Sequence, residues 1–204
     1  MKAHILPAFA AMAVAALPGA AQSQPLSGRA LVTALRQGGY VIVMRHASSP
    51  SQPPEAHAAD PENTGRERQL DEKGRTTAAA MGEALRRLKI PIGEIFSSPT
   101  YRALETVRLA QLGNPHRVPE LGDGGRGMKA STEQQAEWLR TKVKQFPAGT
   151  NTLIVTHSPN MQRAFPQWTE GLEDGEALIL GPDSKGGATL VARVKIEQWP
   201  RLTR

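Results

Sequence analysis

The spacing of apolar residues along this chain changes period repeatedly, and each change marks an element. Leu31, Val32 and Leu35 share one face of a helix that Ser27 can cap and Gly38-Gly39 ends, which predicts a helix over Gly28–Gln37. Tyr40-Val41-Ile42-Val43-Met44 follows without a polar alternate. Such a run predicts a strand buried on both faces, as inside a parallel sheet, and it ends abruptly in Arg45-His46-Ala47. Asp71 then opens an amphipathic helix reaching about Leu88, with Ala78, Met81, Leu85 and Leu88 as its apolar stripe. A second short strand is predicted over 92–97. Ser98-Pro99 opens the next helix, with Pro99 near its first turn and Arg102 inside that turn. His116-Arg117-Val118 reads as a short edge strand, and residues 132–146 read as a helix with Ala136, Leu139 and Val143 inward. Asn151-Thr152-Leu153-Ile154-Val155-Thr156 repeats the opening pattern, an apolar strand running into a histidine, His157. Ser158-Pro159-Asn160 starts a short helix after it. Residues 176–180 and 189–196, joined by a turn-rich link at 182–187, predict a closing hairpin.

Buried strands alternating with helices predict a three-layer α/β/α sandwich around a mostly parallel sheet, with a C-terminal antiparallel hairpin. No linker divides the chain, so residues 26–204 are expected to form one domain, a size that allows a substantial core. Two stretches break the rhythm. Residues 47–69 hold Pro50, Pro53, Pro54 and Pro61 with little periodicity, a loop long enough to serve as a lid or substrate wall. His57, inside it, is expected to be solvated. Residues 119–129 form a glycine-rich loop carrying Glu120 and Asp123.

The first residues have a different purpose. Lys2 and His4 precede an alanine-rich apolar run over 5–17, and small residues at 19–23 offer cleavage sites. Residues 1–21 are therefore expected to be a secretory signal peptide cleaved near 21–23, too short to span a membrane comfortably. The mature protein is expected in a bacterial periplasm or secreted, without stable membrane insertion. The chain has no cysteine, which excludes disulfides, thiolate metal sites and thiol nucleophiles. Its net charge of +6 suits anionic substrates, while 4% aromatic residues and no recognition motif argue against nucleic acid as a partner.

Ligands of open α/β sheets bind beyond the carboxyl ends of the strands. Arg45, His46, Arg102 and His157 all fall there. An arginine in a helix's first turn opposes the dipole and requires another purpose; with the free amides of that turn it can clamp a phosphate. A neutral imidazole is a competent nucleophile near neutral pH, its ordinary pKa being about 6.5.

Taken in order, Arg45-His46-Ala47, the run from Ser98-Pro99-Thr100-Tyr101-Arg102 through Thr106, and Thr156-His157-Ser158-Pro159-Asn160 resemble the histidine phosphatase superfamily, of phosphoglycerate mutase-like fold. Gly175-Glu176-Ala177 and the 182–187 turn are similar to secreted bacterial members. The resemblance implies a metal-independent phosphomonoester hydrolase needing no cofactor. His46 would attack phosphorus and become phosphohistidine. Arg45 and Arg102 would hold the phosphoryl oxygens, and His157 would add a further donor. It further implies an acid that protonates the leaving oxygen, and Asp123 lies about where one belongs, with Glu120 as the fallback. Glu105 and Thr106 match structural positions, and Arg68 could either reach the substrate or form a structural ion pair. The expected substrate is a small-molecule or envelope phosphomonoester. The alternative is a non-catalytic periplasmic anion-binding protein of the same fold.

Overall fold

The computed structural model describes residues 25–123 and 131–203. The expected signal peptide and most of the glycine-rich loop after Asp123 lie outside these residues. In chain order the elements are α1 (Gly28–Gln37), β1 (Tyr40–Arg45), α2 (Glu72–Arg87), β2 (Ile92–Ser97), α3 (Tyr101–Ala110), β3 (His116–Arg117), α4 (Glu133–Lys142), β4 (Asn151–Thr156), α5 (Ser158–Ala164), β5 (Ala177–Pro182) and β6 (Ala188–Val194).

The strands form one sheet in the order β3-β2-β4-β1-β5-β6. β3, β2, β4 and β1 are parallel, while β5 and β6 run as an antiparallel hairpin beside β1. Alternation along the strands sends side chains into two separate cores. Ile42, Met44, Leu153 and Val155 face the layer of α1, α2 and α3, where Leu35, Leu85 and Val107 meet them. Val41, Val43 and Ile154 face α4 and α5, where Leu139 and Met161 meet them. β1 and β4 are thus covered on both faces, which is why their sequences are apolar without interruption. Each fully buried Leu, Ile or Val contributes about 1.5–3 kcal/mol relative to exposure.

Chain order explains the site. β4 inserts between β2 and β1, so the strands that precede His46, Arg102 and His157 lie side by side. β1 and β4 pair in register from Tyr40 with Asn151 to Arg45 with Thr156, so His46 and His157 leave the sheet together. Helices α2 and α3 approach closely at Gly82, where a Cβ would sit 1.9 Å from the carbonyl oxygen of Ala110.

The sequence reading differs from the structure at several boundaries. α4 stops at Lys142 rather than near 146, because Pro147 disfavours the helical conformation for Phe146 and the chain tightens into a turn from Val143. Thr100 is the N-cap of α3, so Pro99 stands before the helix rather than in its first turn. The hairpin runs over β5 and β6, and its turn is closed by Asp183, whose Oδ1 accepts from the Lys185 and Gly187 amides. Ile196 does not extend the last strand. It begins a 3-10 helix, Ile196–Arg201, that lays Trp199 into the core against α2. Among the described residues no helix is long and apolar enough to cross a membrane.

Candidate active site

Beyond the carboxyl ends of β1, β4 and β2, His46, Arg102, His157 and Asp123 form one cluster, each at most 4% exposed. His46 Nδ1 lies 2.8 Å from the carbonyl oxygen of Ala47. A carbonyl only accepts, so Nδ1 carries the proton and Nε2 keeps its lone pair. Arg102 Nε donates to that lone pair at 3.1 Å. The guanidinium continues through Nη2 to His157 Nδ1 at 3.1 Å and to the carboxylate of Asp123. Since Arg102 is always a donor, His157 Nδ1 accepts, and its Nε2 proton faces Ser98 Oγ at 2.9 Å. The two rings meet edge to face with centroids 5.1 Å apart. Ser98, at the end of β2, orients the second histidine; the sequence showed the serine but not this purpose.

Each member is braced from behind. Thr106 Oγ accepts from the Ala47 amide at 3.1 Å and donates to the Arg102 carbonyl at 2.8 Å, tying the turn after the nucleophile to α3. Thr156 Oγ donates to the Leu121 carbonyl, and Asn160 Nδ2 donates to the carbonyls of Leu121 and Gly122. The backbone leading to Asp123 is therefore clamped to the ends of β4 and α5. Glu105 accepts from the Leu70 amide at 2.9 Å, in keeping with its structural reading.

The first turn of α3 carries a feature that the sequence reading did not foresee. Thr100 makes no side-chain cap, and the carboxylate of Glu67 instead accepts the Tyr101 amide at 3.0 Å. Arg68 lies one residue further on and pairs with no carboxylate among the described residues. It donates to the carbonyls of Pro50 and Ser49, and its charge reaches both histidines. His57 is exposed, as expected. Glu120 lines a groove against α4 with Trp138 and Gln145. Arg45 pairs with Asp174 at 2.6 Å. Among the described residues no group of three or more His, Asp or Glu is placed to hold a metal ion.

Burial, reinforced by the positive charges of Arg102, Arg45 and Arg68, lowers the His46 pKa to about 3. Burial also pushes His157 well below its ordinary value, with His46 and the same arginines adding to the effect. His46 thus stays neutral far into the acid range.

The same shift predicts acid sensitivity. An unfolded His46 binds a proton below pH 6.5 and the folded one does not until about 3, so its stabilisation is complete above 6.5 and declines through that window. The slope approaches about 1.4 kcal/mol per pH unit, and His157 adds in the same direction. Urea midpoints measured from pH 7 to 5 should fall in the native protein and fall less in His46→Gln. Equal slopes in the two would contradict the assignment of the neutral buried ring.

The sequence model of the histidine phosphatase superfamily (branch 1) matches residues 41–121. Those residues include Arg45, His46 and Arg102, and over them the chain is similar to that superfamily. No curated protein matches the chain by sequence. Among solved structures it is similar to the protein histidine phosphatase SixA complexed with tungstate, with TM-score 0.55 and 18% identity, covering 78% of this chain and 98% of that one. It is similar also to a putative phosphohistidine phosphatase SixA from Agrobacterium tumefaciens, with TM-score 0.52 and 16% identity over 77% of this chain and 98% of that one. A phosphoserine phosphatase mutant from Entamoeba histolytica, complexed with phosphoserine, gives TM-score 0.52 and 12% identity over 78% and 98%. At these identities the likeness concerns the fold, which is the fold expected from the strand and helix order. The matched stretch ends at residue 121, two residues before Asp123.

Proposed function

We propose that the protein is an exported, metal-independent phosphomonoester hydrolase that works through a phosphohistidine at His46. The observation that carries this reading is the hydrogen bond from His46 Nδ1 to the Ala47 carbonyl. It leaves Nε2 as the lone-pair nitrogen in a pocket where Arg102 and His157 converge. A phosphoryl group entering there takes over the Arg102 N–H groups and frees the lone pair. Nε2 attacks phosphorus in line with the ester oxygen, the P–O bond breaks, and its electron pair leaves with that oxygen. Asp123, displaced from Arg102 by the incoming phosphoryl group, takes up a proton from solvent as the anion binds and gives it to the leaving oxygen. Water then attacks the phosphohistidine, passing a proton to Asp123, and inorganic phosphate departs. Arg45, Arg102 and His157 supply the positive charge that spreads over the phosphoryl oxygens in the transition state.

Export rests on the basic start and apolar run of residues 1–21, and a phosphorylated sugar or lipid of the cell envelope fits that location. The test is turnover of nitrophenyl phosphate and a panel of sugar phosphates by the purified mature chain, with His46→Ala as control. Activity should survive chelators and be inhibited by vanadate, which adopts five-coordinate geometry. Activity lost in chelator and restored by zinc or magnesium would remove metal independence. Tight phosphate binding without turnover of any ester would favour the anion-binding alternative.

A further inference from the structure

A second carboxylate belongs to this site. The turn over 173–176 is fastened to the nucleophile's own strand end: the Gly175 amide donates to the His46 carbonyl at 3.0 Å, and the Arg45 amide donates to the Glu176 carbonyl at 3.1 Å. The turn is also braced internally, because Glu176 accepts from the Glu173 amide at 3.0 Å and from Arg193 at 2.8 Å. Gly175 has φ +70, and a Cβ there would meet Ile196 at 2.8 Å, so the turn has one seat against the core. These contacts place Asp174 beside the Arg45 side chain, where Oδ1 pairs with Nη2 at 2.6 Å.

The two carboxylates of the site differ in kind. Asp123 lies inside the cluster, on the Arg102 nitrogen that also faces His157. Asp174 approaches from the rim, with its side chain 34% exposed and that of Arg45 23% exposed. A pair this exposed adds little to stability, so its value lies elsewhere. It engages one end of the guanidinium and leaves Nε, which is enclosed and has no acceptor among the described residues. Arg45 has a long, flexible side chain, and a fixed partner on its outer nitrogen removes rotamers that would carry the charge into solvent.

We propose that Asp174 is a positioning residue that holds Arg45 with its inner N–H groups directed to the phosphoryl oxygens of the ester. This inference rests on the phosphatase reading of the site. It assigns Asp174 no contact with substrate, so all of its effect must pass through Arg45.

A double-mutant cycle tests it, with nitrophenyl phosphate turnover and vanadate inhibition as readouts. Asp174→Asn keeps the volume of the side chain and removes its charge. It should lower kcat/KM about 10-fold, within the roughly 100-fold that an ångström of misplacement can cost, and weaken vanadate inhibition in parallel. Asp174→Glu should recover part of the loss. In an Arg45→Ala background, Asp174→Asn should change nothing further, because the residue it positions is gone. A loss of equal size in both backgrounds would overturn the proposal in favour of a general structural role. Tighter vanadate binding in Asp174→Asn would overturn it in favour of simple charge repulsion. If the native protein hydrolyses no ester, the phosphatase reading fails instead, and the cycle run on vanadate binding alone still reports whether Asp174 acts through Arg45.

Discussion

His46→Ala should lose turnover by about 10⁴-fold or more while the protein remains folded. The expectation comes from the tautomer. The Ala47 carbonyl fixes the proton on Nδ1 and leaves the Nε2 lone pair facing Arg102 Nε. His157 differs from His46, because its Nδ1 faces the Arg102 nitrogen that Asp123 also holds and its ring is oriented by Ser98. Removing a buried ring leaves a cavity and takes an acceptor from Arg102. It also removes one of the two buried histidines that make the fold acid-sensitive, and a cooperative thermal transition at neutral pH should survive. Rapid mixing of the native protein with substrate, followed by quenching, should trap acid-labile phosphate on His46. Phosphate recovered on a serine or an aspartate would end this assignment.

Asp123→Asn should separate good from poor leaving groups. General acid catalysis contributes roughly 10²–10⁴-fold where the departing oxygen needs a proton. A sugar alkoxide needs one and a nitrophenolate scarcely does. The substitution should therefore slow sugar-phosphate hydrolysis by about 10²-fold or more and nitrophenyl phosphate hydrolysis far less. It also removes the carboxylate that pairs with Arg102, so inorganic phosphate, which competes for the same nitrogens, should inhibit the variant at lower concentration than the native protein. Glu120→Gln is the paired control, since Glu120 faces α4, and it should be nearly silent on both substrates. Equal losses on the two esters would mean that Asp123 shapes the pocket without donating a proton.

The residues of the site were legible where chemistry and strand geometry coincide. β1 and β4 are covered on both faces, so their uninterrupted apolar runs mark them, and the polar residues that end them, Arg45-His46 and Thr156-His157, stand out for the same reason. Tertiary partners left no such mark. Asp174 meets Arg45 only because β5 pairs antiparallel with β1, and nothing in a turn rich in acidic residues distinguishes it from its neighbours. Glu67 caps α3 from a loop whose path no periodicity reveals. The 3-10 helix at Ile196–Arg201 was hidden because Ile196 continues the apolar pattern of β6, and the core position of Trp199 emerges only from packing against α2. The overrun of α4 has a local cause: its apolar spacing persists to Val143 and Phe146 after its helical hydrogen bonding has ended.

The loop over 49–69 is held by its two ends. On the near side the Ala47 amide is bound by Thr106, and Ser48 Oγ donates to Asp71 at 2.7 Å. On the far side Glu105 receives the Leu70 amide. The first turn of α2 is packed so closely on Ser48 that a Cβ at Gly74 would lie 2.1 Å from its carbonyl oxygen. Both clamps on α3 come from neighbouring residues of the helix that carries Arg102 inward. The chain between them meets α3 again where the Tyr101 hydroxyl donates to Asp60, but its length can change with both end anchors in place, because the entropy of a longer loop grows only with the logarithm of its length. The frame around His46 and Arg102 and the loop beside it are in this way separately heritable: changes over 51–66 leave both anchors in place.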